Sequence, residues 1–368
     1  MATQVTNYQC PSCTGPLHFS AETGKLKCEY CGSSFDPAEI ERLYQEKTQA
    51  AAEADRQEEE KPAGAASGAR AGSEWDEAEA ASLRVYNCPS CGAEILCDGT
   101  TAATRCVYCG NPSVVPGRLS GNLKPDYIIP FQLDRQAAVD ALKKHCRGKP
   151  LLPRAFRSQN RIEQLQGVYV PFWLYDCETS GRVEYSANTV RTWAEGDWDV
   201  TERTNYLVTR GGTVRFEQIP VDGSTKMPDD HMDAIEPFDY AGLVPFSLAY
   251  LPGYLADKYD VDQQASAERA RKRAEQSASE LFLASVSGYD SVTEKDRALD
   301  FAQKDVKYAL LPVWLLNTKW NGKDYLFAMN GQTGKLIGDL PVSRGLACAW
   351  LFGIWAVLSA LAILIQVL

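Results

Sequence analysis

Cys88-Pro-Ser-Cys91, separated by fourteen residues from Cys106-Val-Tyr-Cys109, decides how this chain is read, because the same unit also stands near its start. There Cys10-Pro-Ser-Cys13 precedes Cys28-Glu-Tyr-Cys31 at the same spacing, and all four cysteines map onto the second copy at one offset of 78. Tyr8/Tyr86, Pro11/Pro89, Ser12/Ser90, Thr23/Thr101, Tyr30/Tyr108 and Gly32/Gly110 match at that offset as well. A Cys-x-x-Cys turn aims two thiolates at one point. Two such turns at the ends of a short hairpin make a closed tetrahedral site, with zinc–sulfur distances of about 2.3 Å. Gly32 and Gly110 follow the last cysteine of each unit, where a tight turn calls for positive φ.

The doubled spacing predicts two zinc ribbons with ligands Cys10, Cys13, Cys28 and Cys31 in the first and Cys88, Cys91, Cys106 and Cys109 in the second. Ribbons of this size cannot bury a core alone, and metal binding supplies roughly 10–16 kcal/mol towards their folding. Four thiolates leave no open coordination position, so both Zn2+ ions are expected to be structural. A disulfide reading needs an oxidising compartment. A rubredoxin-like iron site is not excluded by the spacing alone. Cys97 aligns with Phe19 at the same offset and reads as a small hydrophobe in a ribbon strand. Cys146 lies on a helical face with Val139 and Leu142, Cys177 ends an apolar strand, and Cys348 reads as a packing residue open to acylation.

The chain has 368 residues, room for two or three domains, and a formal net charge of −10. The ribbons carry mixed charge and no basic stripe, so the electrostatic footprint of a DNA-binding module is missing. Arg269, Arg271, Lys272 and Arg273 form one basic cluster, flanked by Glu268 and Glu275, that reads as a solvated helix face; contact with anionic lipid headgroups is the sharper alternative.

Residues 346–368 carry no charge. As a helix they would rise about 34 Å, enough for a hydrocarbon core of about 30 Å. The expectation is a transmembrane tail anchor. No charged-then-apolar signal sequence opens the chain, and Arg344 and Lys335 precede the span, so the folded part is expected on the cytoplasmic side of an inner membrane in a single-pass arrangement.

Between the ends, Asp36-Pro37 looks like a helix start running through Ile40, Leu43 and Tyr44. Residues 50–81 are rich in Ala, Glu, Gly and Ser with Trp75 as the single aromatic, which reads as a tether. The division is a first ribbon over 1–36, helix and linker over 37–83, a second ribbon over 84–116, a main domain over 117–342 and the tail over 346–368. The ribbons, at least the first, would move independently. In the main domain the strongest strands, at 127–131, 168–174 and 309–315, each contain a proline, which argues for an edge or a bulge. Residues 183–193 and 198–208 alternate as a long hairpin around Glu195-Gly196-Asp197, and 323–329 with 335–338 form another across Asn330-Gly331. Helices are expected from Asp134 to about residue 146 and from Asp262 to about residue 286. Pro171, Trp173, Leu174, Gly181 and Ala187 match Pro312, Trp314, Leu315, Gly322 and Ala328 at an offset of 141, which suggests two related sheet halves. The predicted class is α+β with a mainly antiparallel sheet.

No catalytic arrangement emerges. Gly331-Gln-Thr-Gly334-Lys335-Leu336 lacks the first glycine of a phosphate loop, where Met329 stands, and its hydroxyl residue, where Leu336 stands. The three histidines are His18, His145 and His231, and there is no Gly-x-Ser-x-Gly or His-Glu-x-x-His motif. Asp229, Asp230, His231 and Asp233 could hold a divalent cation, but an acidic helix start is the plainer reading.

Residues 88–112, Tyr169-Val-Pro-Phe-Trp-Leu-Tyr-Asp176 and Phe327-Ala-Met-Asn-Gly-Gln-Thr-Gly-Lys335 resemble a bacterial family, the transcription-factor-IIB-type zinc-ribbon membrane proteins, over nearly the whole chain. Members are often labelled relatives of the primosomal replication factor, a superfamily II helicase. This chain has no Walker A loop and is too short for two helicase lobes. The resemblance implies the eight ligand cysteines as functional residues. It also implies, for some members, a place in membrane-stress operons beside SPFH/flotillin-like and phage-shock-protein-A-like partners. The expected function is non-enzymatic recruitment of cytoplasmic proteins at the membrane. The alternatives are a nucleic-acid-binding replication or transcription factor and, third, an unrecognised enzyme.

Overall fold

The computed structural model describes residues 10–11, 17–20, 25–28, 32–36, 39–40, 42, 71–98, 105–111, 114–117, 123–153, 156, 165–320 and 323–367. A small sheet is formed by β1 (Leu17–Ser20), β2 (Lys25–Cys28) and β3 (Ser34–Phe35), each antiparallel to the next. Then come α1 (Glu77–Ser82), β4 (Leu83–Asn87), β5 (Glu94–Asp98), β6 (Val115–Gly117), β7 (Tyr127–Ile128), α2 (Arg135–Cys146), β8 (Gln166–Glu195), β9 (Trp198–Asp222) and α3 (Asp229–Ala234). After them follow β10 (Val244–Pro245), β11 (Leu255–Asp257), α4 (Gln263–Ala284), β12 (Ser291–Trp320), β13 (Lys323–Asn330), β14 (Leu336–Gly338) and α5 (Arg344–Val367). Of the helix expected after Asp36, Ile40 is described and buried, while Leu43, Tyr44 and most of the expected tether lie outside the described residues.

Of the matches at offset 141, Pro171/Pro312, Trp173/Trp314 and Leu174/Leu315 have a structural meaning, whereas Ala187 lies on β8 and Ala328 on β13. Two β-α-β-β units, β7-α2-β8-β9 and β11-α4-β12-β13, interlock. The short first strand of each runs parallel to the long strand of the other, β7 beside β12 and β11 beside β8, while β8 and β12 lie antiparallel at the centre. The class is therefore α+β with a mixed sheet, which corrects the expectation of a mainly antiparallel one. Pairing two or three residues of β7 and β11 leaves no periodicity to read, so the parallel ladders escaped the pattern.

The same duplication recurs atom by atom. Asp134 and Asp262 cap α2 and α4 by accepting from the N–H groups of Ala137 and Ala265 at 2.8 and 2.7 Å. The residue before each cap accepts an indole N–H from the other unit: Leu133 from Trp314 at 3.1 Å, Val261 from Trp173 at 2.9 Å. Gly331 and Gly223 donate to the Pro312 and Pro171 carbonyls, both at 2.8 Å.

Those two prolines lie inside central strands, not at edges. On the side away from β12, β8 pairs with β11 up to Tyr169 and with β9 from Phe172. Pro171 fills the gap between the two neighbours. Pro312 does the same between Leu310, the end of the β7 pairing, and Val313, the start of β13. A residue with no N–H fits where the ladder changes partner.

Beyond this core β8, β9 and the first part of β12 project as a three-stranded blade, packed on α4 through Val183, Tyr185, Ala187 and Val208. At its root Gly181 adopts φ 148, and a Cβ there would fall well inside contact with the Ala298 carbonyl oxygen on β12. We expect Gly181→Ala to destabilise the protein by about 2–4 kcal/mol, from strained φ and disrupted pairing; chemical denaturation measures this, and a loss under about 0.5 kcal/mol would contradict the close approach.

The second ribbon is hydrogen-bonded into the large sheet. β5 pairs antiparallel with β11, and β11 pairs with β8. Cys88, Cys97, Cys106 and Tyr108 share one buried cluster with Val168, Phe172 and Leu311.

The expected transmembrane anchor is corrected. Among the described residues no helix is long and apolar enough to cross a membrane. α5 is helical, and Trp350, Leu351, Phe352, Ile354, Trp355, Val357 and Leu358 on it are exposed. The single-pass inner-membrane placement built on that anchor is withdrawn with it.

Candidate metal centre

Each cysteine turn of the second ribbon is a closed knuckle. Cys88 N–H donates to the Ala93 carbonyl at 2.8 Å and Gly92 N–H returns to the Cys88 carbonyl at 2.9 Å. Cys106 N–H donates to Asn111 O at 2.8 Å and Gly110 N–H to Cys106 O at 3.0 Å. Gly92 and Gly110 sit at φ 68 and 70, where a side chain is disfavoured. β4 and β5 hold the first knuckle at their hairpin end.

The two knuckles bring the four sulfurs within 4.8 Å of one another. Cys88 Sγ lies 3.5 Å from Cys109 Sγ, and Cys91 Sγ 3.6 Å from Cys106 Sγ. Sulfurs at about 2.3 Å from a common tetrahedral centre would be about 3.8 Å apart, so the cluster fits one metal ion. Cys88 and Cys106 are buried, Cys91 and Cys109 half-buried. Without a cation such a group cannot ionise together. Hydrogen bonds from Cys106, Cys109 and Cys91 push the Cys88 thiol down, hydrogen bonds with Cys109 and Cys88 push Cys106 up, and Cys106 brings Cys109 down to about 7. A divalent cation resolves the conflict by replacing the shared protons.

Two neighbours escaped the sequence reading. Asn111 Nδ2 donates to Cys88 Sγ at 3.9 Å; its place directly after Cys-Gly was the available signal. Lys226 ion-pairs with Asp260 at 3.2 Å, and although burial lowers its pKa, Asp260 and then the Cys91 sulfur raise it overall. Nothing in the sequence links it to a ribbon so far upstream.

The first unit shares the knuckle geometry where it is described. Cys28 N–H donates to Ser33 O at 2.9 Å, Gly32 N–H to Cys28 O at 3.0 Å, and Gly32 has φ 75. Cys10 and Cys28 are buried with Leu17, Leu26 and Ile40. Cys13 and Cys31 lie outside the described residues. Cys97, Cys146 and Cys177 are buried and Cys348 is exposed.

The acidic run at α3 is bridged by arginines. Arg269 pairs with Asp222, with Asp229 at 2.8 Å and with Asp233 at 2.7 Å, and Arg273 pairs with Glu236 at 2.5 Å and Asp233 at 3.2 Å. Guanidinium groups supply the positive charge that the divalent-cation reading invoked. Half of the basic cluster thus ties α4 to α3, while Arg271 and Lys272 pair with Glu268 and Glu275 along the helix.

Asp257, beside the ribbon on β11, is buried, and Ser224 Oγ donates to it at 2.7 Å. Burial pushes its carboxyl up to about 7, against the Ser224 hydrogen bond. A raised folded-state pKa means the native state binds the proton more tightly, so this group costs stability as pH climbs from about 4 towards 7 and above. Asp257→Asn should therefore stabilise the protein by on the order of 2–4 kcal/mol at pH 8, with the gain shrinking by pH 5. Paired denaturation curves at the two pH values check this; equal effects at both would contradict it.

No family model matches the chain, and no solved structure matches it. The uncharacterized protein YdjG of Bacillus subtilis (strain 168) is 34% identical over 350 residues, which cover 95% of this chain and 94% of that protein. With that identity across nearly the full length of both, this chain belongs to the YdjG family.

Proposed function

We propose that the chain is a non-enzymatic scaffold whose four-cysteine centres hold structural zinc and whose partners are proteins. The carrying observation is the closed donor set: four cysteine sulfurs within 4.8 Å complete a tetrahedron and leave no position for water or substrate. The repeated knuckle at Cys28 and Gly32 supports a second ion held by Cys10, Cys13, Cys28 and Cys31. A protein partner is favoured over nucleic acid by the net charge of −10 and by the pairing of cations near the centre, Lys226 with Asp260 and Lys258 with Glu94. Partners of the SPFH/flotillin-like or phage-shock-protein-A-like kind are the ones the family resemblance implies.

Elemental analysis of the purified chain should find about two zinc atoms and no iron. The metal-loaded protein, titrated at roughly physiological salt, should bind a purified SPFH/flotillin-like or phage-shock-protein-A-like protein and leave labelled single- and double-stranded DNA unbound. Tight DNA binding, or ATP hydrolysis stimulated by DNA, would replace this reading with the replication-factor one.

A further inference from the structure

β9 is an edge strand of 25 residues, and among the described residues only β8 pairs with it. An open edge this long is a template for another strand, and proteins ordinarily guard it with charge, proline or bulges. The opposite edge of the blade is guarded. Its strand, β12, has bulges between Glu294 and Asp296 and between Gln303 and Asp305, and Lys295, Arg297, Asp300 and Lys304 lie along it. β9 runs from Trp198 to Phe216 without a register shift and presents Trp198 and Leu207, 78% and 62% exposed.

Which β9 groups face outward follows from the hydrogen bonds of β8. Asn188 C=O and Val190 N–H turn away from β9, to Asp290. Their β9 partners Asn205 and Arg203 therefore turn away from β8, and the odd-numbered residues carry the outward N–H and C=O groups. A two-fold antiparallel pairing of β9 with itself must join odd to odd, so it can only centre on a whole residue.

Axes at Thr204, Asn205 and Tyr206 oppose no like charges, the last pairing Glu202 with Arg210, but they set the exposed Leu207 against Thr201, Arg203 and Asn205 in turn. An axis at Glu202, Arg203 or Arg210 sets like charges on themselves, one at Thr209 sets Arg203 against Arg215, and one at Val208 sets Asp199 against Glu217. An axis at Leu207 sets Leu207 on itself, Asp199 against Arg215 twice, Val200 against Val214, Thr201 against Thr213 and Trp198 against Phe216, with no like charges opposed over 198–216.

We propose that this chain forms a two-fold dimer through β9, centred on Leu207, in which the two blades join into one six-stranded sheet. The pairing would make about eighteen interchain backbone hydrogen bonds and cover both exposed Leu207 and Trp198 side chains. The partner is a second copy because at this register the edge is complementary to itself: Asp199 meets Arg215 twice, Leu207 meets Leu207 and Trp198 meets Phe216.

The test is light scattering of the full chain at micromolar concentration in mild non-ionic detergent, which keeps the exposed apolar side chains of α5 apart. The wild type should have the mass of a dimer. Leu207→Lys sets two ammonium groups across the axis and should raise the dimer dissociation constant at least about tenfold, with the folded circular dichroism spectrum retained. Independently of that variant's folding, Leu207→Cys on a Cys348→Ser background should form an interchain disulfide, since directly opposed residues lie about 5.5 Å apart, whereas Thr209→Cys should not. A monomeric wild type, open-ended oligomers, a dimer that a folded Leu207→Lys leaves intact, or equal cross-linking at 207 and 209 overturns the proposal.

Discussion

Removing the metal from the Cys88–Cys109 centre, or replacing Cys106 with serine, is expected to unfold much more than a ribbon. Metal binding to sites of this kind contributes roughly 10–16 kcal/mol of apparent folding free energy, as large as the 5–15 kcal/mol net stability of a whole domain. The centre's knuckles border β5, whose Ile95 and Leu96 pair with Asp257 and Ala256 of β11, and β11 in turn pairs with Val168 and Tyr169 of the central strand β8. Val107 and Tyr108, between the last two ligands, are buried in the same cluster as Phe172 and Leu311. Losing the knuckles therefore opens the main core. Hydrogen exchange on chelator-treated protein should show protection falling along β5, β11 and the first half of β8, with the melting transition lowered as one cooperative event. Unchanged protection in β11 and β8 would mean that the ribbon is held to the sheet without supporting it. The equivalent change at Cys28 has no such route into the main core, since β1–β3 pair only with one another among the described residues.

That contrast marks where sequence reading stops. Spacing alone named Cys88, Cys91, Cys106 and Cys109, which the structure brings together, because the distance between two thiolates in a knuckle is a local property of Cys-x-x-Cys. The helix starts at Asp134 and Asp262 and the turns at Gly196 and Asn330-Gly331 were legible for the same reason. Joining ribbon to sheet depends on β5 meeting β11, far apart in the chain, through a strand of three residues with no pattern of its own. β8 was legible as two separate strands, 168–174 and 183–193, and the first half of β12 was hidden because it is exposed and polar, so only its buried segment read as a strand. The prolines misled for an instructive reason. Pro171 and Pro312 do avoid a ladder partner, as proline must, but the gap lies between two neighbouring strands in the middle of the sheet rather than at its edge.

Because the two β-α-β-β units brace each other, substitutions at their matched tryptophans are expected to have matched, large effects. Trp173 is 1% exposed, packs against Tyr259 and Tyr308 with ring centroids 5.2 and 5.1 Å away, and donates to Val261 just before α4. Trp314 is 4% exposed, packs against Phe131 and Tyr254 at 5.1 and 6.0 Å, and donates to Leu133 just before α2. Each indole therefore fills core space and fixes the start of the other unit's helix, leaving a backbone carbonyl unpaired when it is removed. Trp173→Ala and Trp314→Ala should each cost about 3–5 kcal/mol, and Phe at either site should recover part of the packing but none of the hydrogen bond, leaving roughly 1–2 kcal/mol unrecovered. Denaturant midpoints at constant slope measure these losses. The duplication adds a sharper requirement: the double alanine variant should lose more than either single one, and hydrogen exchange should show α4 loosened by the Trp173 change and α2 by the Trp314 change. If each substitution instead loosened the helix of its own unit, the cross-braced arrangement would be wrong.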